Sequence, residues 1–293
     1  MRLASVPVLS LVLLAACLTP PEGDPPVTPA QPPTASAAPA LPHEPYAAGG
    51  SAVPAASVAT PASGVVADAN SSGVVIAPDR SPADRQLDPA RHPAEMLTFF
   101  GIAPGMRVAE LGSGTGYTTE LLARAVGPTG VVYGQNPKWL LERFAEKPWS
   151  ERLGKPAMKN VTRLDREFDD PLPVEVKNLD AVISILFYHD TVWLGADRDR
   201  MNRAVFAALK SGGVYGVIDH SGRAGTGLTE VKTLHRIEEE TLKAEVLRAG
   251  FKLGAEGTFL KNPNDARDWN DSPTAAADKR GMSDRFVLRF VKP

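Results

Sequence analysis

Seven residues, Glu110-Leu-Gly-Ser-Gly-Thr-Gly116, constrain this chain more than any other stretch. They close a short strand-like run, Arg107-Val-Ala-Glu-Leu111. They open a segment in which Tyr117, Leu121, Leu122 and Ala125 recur at helical spacing until Gly127-Pro128 stops it. A strand that turns into a helix through three glycines predicts a βα unit with a tight turn. Glycine allows that turn and lets a ligand approach the backbone with no Cβ in the way. In sheets built from such units, ligands bind beyond the carboxyl ends of the strands, where this turn would lie.

The rest of the chain repeats the alternation. Strand-like runs occupy Gly130-Val-Val-Tyr133, Asn160–Leu164, Asp180–Leu186 and Val214–Asp219. Helical patterns fall between them: Met201, Val205, Ala208 and Leu209, and then Val231, Leu234, Ile237 and Thr241 in a helix expected to run to Gly250. Strands alternating with helices predict an α/β fold, a Rossmann-like doubly wound sheet that is mostly parallel. Phe251–Phe259 and the apolar-rich Asp284-Arg-Phe-Val-Leu-Arg-Phe-Val291 predict edge or antiparallel strands at the end.

The expected domain covers residues 86–293. Residues 18–85 differ in composition: Leu18–Asp84 holds 14 of the 27 prolines, with Pro-Pro pairs at 20–21, 25–26 and 32–33. Such a Pro/Ala-rich stretch buries too little apolar surface to offset ordering entropy, and it reads as a disordered tether. Before it, Arg2 is followed by an apolar run to Ala16, short for a membrane span and suited to a signal peptide. Leu14-Ala-Ala-Cys17 resembles the lipobox of bacterial lipoproteins. The resemblance implies lipidation at Cys17, an N-terminal lipid anchor in a membrane, and an exported protein, periplasm-facing in a Gram-negative cell.

The 32 basic and 34 acidic side chains are nearly balanced, so there is no basic footprint of the kind nucleic-acid binding requires. One cysteine and five scattered histidines offer no spacing characteristic of a metal site, and none is expected.

Spacing separates the glycine turn from its rivals. A dinucleotide fingerprint would place its last glycine where Tyr117 stands, which disfavours a nicotinamide-dependent oxidoreductase. A P-loop requires Gly-Lys-Ser/Thr after its last glycine, and no lysine is near. With the lead-in Pro104-Gly-Met-Arg-Val108, the turn resembles motif I of class I S-adenosylmethionine (SAM)-dependent methyltransferases. The ending Asp284–Phe290 resembles a subgroup of predicted bacterial methyltransferases with unassigned substrates. The resemblance implies a seven-stranded sheet with the last strand antiparallel, and SAM as cofactor. Gly112, Gly114 and Gly116 would pass beneath the methionine part, with Glu110 near its ammonium group. Asn136 stands where the family carries an acid that grips the ribose, a departure expected to weaken binding by about 1 kcal/mol. Glu167 is the residue expected at the adenine amino group, with Asp165 and Asp169 as near competitors.

Methyl transfer from a sulfonium relies mainly on alignment, and a base is needed only if the acceptor must lose a proton. His189 and Asp190, after strand four, and His220, ending strand five, are the candidates for catalysis. Arg223, His235 and Arg236 could recognise an acidic substrate, with helix-surface charge the default reading of the last two. Tyr188 and Trp193 would line the pocket or pack. The expected activity is methyl transfer to a small molecule or cell-envelope component. The competing reading is a membrane-tethered ligand-binding module on the same fold that has lost catalysis.

Overall fold

The computed structural model describes residues 65–293. The expected signal peptide, the lipidation site Cys17 and the linker up to residue 64 lie outside the described residues. Seven strands form one sheet in the order β3-β2-β1-β4-β5-β7-β6. They are β1 (Arg107–Leu111), β2 (Val131–Asn136), β3 (Val161–Asp165), β4 (Leu179–Ile185), β5 (Leu209–His220), β6 (Lys252–Gly257) and β7 (Arg285–Val291). The first five pair in parallel, whereas β7 runs antiparallel between β5 and β6.

Among the described residues ten α-helices accompany them: α1 (Ala69–Ile76), α2 (Pro82–Arg91), α3 (Pro93–Phe100), α4 (Tyr117–Val126), α5 (Lys138–Leu140), α6 (Glu146–Leu153), α7 (Tyr188–Trp193), α8 (Arg198–Ala208), α9 (Val231–Leu234) and α10 (Glu239–Arg248). Successive strand residues point to opposite faces, so each buried strand feeds two cores. Val108, Ala181 and Ile183 join the cluster under α3 and α4. Ala109, Leu111 and Val182 join the cluster under α8 and α10. Glu110 shares the parity of Val108, which turns its carboxylate toward α4.

The fold starts earlier than the composition suggests. Asp68 caps α1 by accepting the Ser71 amide at 2.7 Å, and Val74 is buried in the core. Helix α2 is tied down by a bidentate Arg80–Asp88 pair, both contacts 2.7 Å, and by Arg152 of α6, which holds Asp84. The proline-rich composition thus runs past the point where the chain becomes helical: α1 is held by its Asp68 cap and buried Val74, and α2 by ion pairs.

The expected helix from Val231 to Gly250 is two helices. His235 has φ 58°, and the chain behind it drops alongside the end of β5, where Ile237 donates to the His220 carbonyl and accepts from the Gly222 amide. A helix cannot continue while its backbone makes those sheet-like bonds. Gly212-Gly213 lies inside β5, where the register against β4 is irregular. Among the described residues no helix is long and apolar enough to cross a membrane.

Candidate active site

The glycine turn forms where the sequence places it. Gly112, Gly114 and Gly116 all have positive φ, at 71°, 57° and 86°, which only glycine adopts without strain. Two are also sterically obligatory. A Cβ on Gly112 would stand 2.5 Å from the Phe187 ring, and one on Gly116 would stand 2.5 Å from the Trp149 ring. A Cβ on Gly114 would meet nothing within 4 Å, so this is the glycine that faces open space.

The next residues along β2 hold the turn in place. Gln135 accepts from the Gly112 amide at 3.0 Å. Asn136, fully buried, accepts from the Gly114 amide at 2.7 Å and donates to the Gly114 carbonyl at 3.0 Å. An amide can do both, whereas a carboxylate could only accept. The side chain expected to meet the ribose is therefore engaged with the turn itself.

Glu110 is buried and makes a short hydrogen bond with the Thr119 hydroxyl. Burial pushes its carboxyl up to about 7, outweighing the nearby hydroxyls of Thr119, Thr118 and Ser113 and the pull of Arg91. A small cavity of about 10 Å³ lies beside Tyr117 and Thr118, between Leu186 and Ile218, with Arg91 and Arg285 in its wall. It has room for about one water. Glu167 is exposed at the end of the adjacent loop, accepting from the Lys138 amide at 3.2 Å. Its competitors are also at the surface: Asp165 pairs with Arg163 and Asp169 with Arg200.

At the same edge, β4 and β5 end in a cluster of imidazoles and carboxylates. His189 is completely buried. Its Nδ1 lies 2.6 Å from Asp219 Oδ1, and Asp219 Oδ2 also accepts the His189 amide. Asp190 Oδ1 stands 3.3 Å from His189 Nε2 and accepts from the Trp193 indole at 2.7 Å. His220 Nδ1 faces Asp271 at 2.5 Å and the Ser283 hydroxyl at 2.9 Å. The three residues expected from sequence, His189, Asp190 and His220, do converge, with the two imidazole rings 5.5 Å apart.

Burial alone would discharge His189, but Asp219 and Asp190 outweigh it and hold the imidazolium up to about 10. Burial and the neighbouring His189 charge press His235 down to about 4, and burial lowers His220. Asp190 is held below the usual carboxylate range because His189 and His235 outweigh its desolvation.

Two residues read as helix-surface charges are not on a surface. His235 packs edge-on against His189 with ring centroids 4.1 Å apart, because the positive φ after α9 turns it inward. Arg236 is fully buried, 2.8 Å from Asp265 and stacked over the Trp269 ring. Arg223 pairs with Glu230. Tyr188 packs, bonding Glu245 and Asn202. Asp219 and Asp271 do not stand out in the sequence. The only signal for Asp219 is its place beside His220 at a strand end, and Asp271 sits in a loop whose pattern carries none.

The sheet order with its inserted antiparallel strand, and the glycine turn at the end of β1, are those of the class I SAM-dependent methyltransferase fold. A solved SAM-dependent methyltransferase from Aquifex aeolicus shares it, with TM-score 0.50 and 19% identity over 73% of this chain and 100% of that one. Residues 87–217 match the family model of Protein-L-isoaspartate(D-aspartate) O-methyltransferase (PCMT).

A protein-L-isoaspartate O-methyltransferase of Thermotoga maritima is 25% identical over 171 residues, 55% of this chain and 47% of the relative. A tRNA (adenine(58)-N(1))-methyltransferase of Thermus thermophilus is 57% identical over 37 residues, 13% of this chain and 14% of the relative. The chain thus spans less than half the length of either curated relative. Together these matches make the chain similar to class I SAM-dependent methyltransferases in fold and in the region of the glycine turn.

Proposed function

We propose that this protein transfers a methyl group from SAM to a small molecule or cell-envelope component. The observation that carries the reading is Glu110 behind the glycine turn. This buried carboxylate has no salt-bridge partner among the described residues, and desolvation pushes it up to about 7. A group in that state gains most from a cation, and the amino-acid end of SAM carries an ammonium. The donor set therefore fits the cofactor, which supplies a methyl group already activated on a sulfonium.

Gly112, Gly114 and Gly116 would let its methionine part lie on the backbone, and Asn136 keeps Gly114 in the required conformation. Glu167 is the exposed acid available to the adenine amino group. The cavity beside Thr118 holds about one water, whereas small-molecule sites usually measure about 300–1,000 Å³.

The acceptor is assigned to the other half of the edge. The family match ends at Val217, so it spans the glycine turn, His189 and Asp190 but stops before His220, His235 and Asp271. His189, fixed by Asp219, would orient the acceptor. Asp190 and His220 are the groups available to take a proton from it. Localisation at a membrane through lipidated Cys17 belongs to the same proposal and rests on the sequence alone.

Calorimetry on the full chain with SAM and with its demethylated product tests the cofactor. Micromolar binding that is lost in Gly114→Val supports the reading. An intact fold that binds neither compound sinks it. Transfer of labelled methyl from SAM to any cell extract would exclude the alternative, a tethered module that binds without turnover.

A further inference from the structure

The cluster at the ends of β4 and β5 has a feature that acid–base chemistry does not require. His189 Nε2 is buried and has no hydrogen-bond partner among the described residues, although its Nδ1 is firmly held by Asp219. Asp190 Oδ1 lies 3.3 Å from that nitrogen, out of hydrogen-bonding alignment, and 3.6 Å from His235 Nε2. One ligand atom from each of His189, Asp190 and His235 lies within 4.8 Å of the other two.

These separations have a plain geometric reading. Ligands held about 2.1 Å from a tetrahedral ion stand about 3.4 Å from one another, close to both Asp190 distances. The partner of Nδ1 matters as well. Metal-bound histidines commonly give their second nitrogen to a carboxylate, which fixes the tautomer and aims the other nitrogen at the ion. Asp219 is placed to act in this way. Its side chain and that of His189 are completely buried, and it also accepts the His189 backbone amide.

We propose that His189, Asp190 and His235 form a binding site for a divalent transition-metal ion, with Asp219 orienting His189. Two imidazoles and one carboxylate favour zinc, iron or cobalt over magnesium or calcium, which prefer all-oxygen sites. The ion takes the place of the proton that His189 otherwise carries, which is released on binding, and three protein ligands leave a coordination position open. The side chains of His235 and Asp190 keep 19% and 12% exposure, so the open side faces outward, where an acceptor would enter. An oxygen or sulfur group of the acceptor is the class of ligand that completes the shell. An ion there lowers the pKa of such a group, and it would then set the acceptor's ionisation in place of a free imidazole.

His220 stands behind the triad, 5.5 Å from His189 between ring centroids, with its Nδ1 committed to Asp271 and Ser283. It is a neighbour of the site, not one of its three ligands. Metal binding does not depend on methyl transfer, and either proposal can fail alone.

The test uses the full-length protein, stripped with a chelator and titrated with Zn²⁺ by calorimetry, with Co²⁺ as a spectroscopic probe of the ligand set. One Zn²⁺ per chain is expected, together with a Co²⁺ spectrum of low coordination number and a rise in melting temperature on loading. Asp190→Ala and His235→Ala, both at the open side, should weaken Zn²⁺ at least about 100-fold and remove the stabilisation. Asp219→Asn should weaken it about 10- to 100-fold. Absence of stoichiometric Zn²⁺ binding to the folded protein overturns the proposal. So does binding of unchanged affinity in Asp190→Ala and His235→Ala, which would place the ion elsewhere.

Discussion

Glu110→Gln separates the cost of the buried acid from its use. The carboxyl is raised from 4.5 to about 7 in the folded protein, with burial the largest cause. A group whose pKa is raised on folding favours the native state below its unfolded pKa. That stability is lost as pH climbs through the folded value. About 2.5 pH units at 1.36 kcal/mol each give a penalty of about 3 kcal/mol for the ligand-free protein above pH 7, developing between about pH 4.5 and 7.

Glutamine copies the shape of the protonated acid and carries no such penalty. The variant should therefore be more stable than the parent at pH 8 by up to about 3 kcal/mol, with little difference at pH 4.5. Urea unfolding of both proteins across that range, without ligand, measures it. The second arm is calorimetry with SAM. The parent should bind more tightly as pH rises toward 7, because the ammonium selects the ionised acid, whereas the variant should bind more weakly and lose that pH dependence. Parallel stability curves for the two proteins would refute the assignment of a raised pKa. A variant that binds SAM like the parent would refute the contact with the ammonium.

Two other substitutions probe the turn. Gly112→Ala forces a Cβ to within 2.5 Å of Phe187 at φ 71° and should destabilise by about 2–5 kcal/mol. Adding Phe187→Ala should return the steric part, and equal melting temperatures for Gly112→Ala and the parent would contradict the packing described. Asn136→Asp installs the acid that the methyltransferase pattern carries. Here it removes the donor to the Gly114 carbonyl, so about 1–3 kcal/mol of stability should be lost with no gain in SAM affinity. Tighter binding at unchanged stability would show that position 136 faces the ribose after all.

The glycine turn was legible in the sequence because its constraints are local: a strand, three positive-φ positions and a helix start all lie between Arg107 and Tyr117. The same holds for the parallel strands, whose buried runs need no partner to be recognised. What sequence could not reveal depends on long-range contacts. Asn136 reads as a weakened ribose ligand until Gly114, 22 positions away, is seen to occupy its amide. Arg236 reads as surface charge because helical periodicity continues through it. Only the backbone bonds of Ile237 with His220 and Gly222 show that the helix has ended and the guanidinium has turned inward. Asp219 and Asp271 acquire meaning only from the imidazoles beside them. The helical start at Ala69 was hidden because its anchors, the Asp68–Thr98 hydrogen bonds to α3 and the buried Val74, are contacts that composition does not register.

The inserted strand β7 sets an order of assembly. It runs from Arg285 to Val291 and lies between β5 and β6, so during synthesis the sheet waits for a strand made after both of its neighbours. Until it arrives, β5 has only β4 beside it and β6 has no strand to pair with. The segment leading into β7 also brings Ser283 to His220, and β7 itself brings Arg285 to the wall of the cavity near the glycine turn. Both sides of the strand-end edge therefore take residues from the late segment, Ser283 at His220 and Arg285 beside Tyr117 and Thr118. A nascent or truncated protein lacking those residues would carry the glycine turn without a finished partner for it.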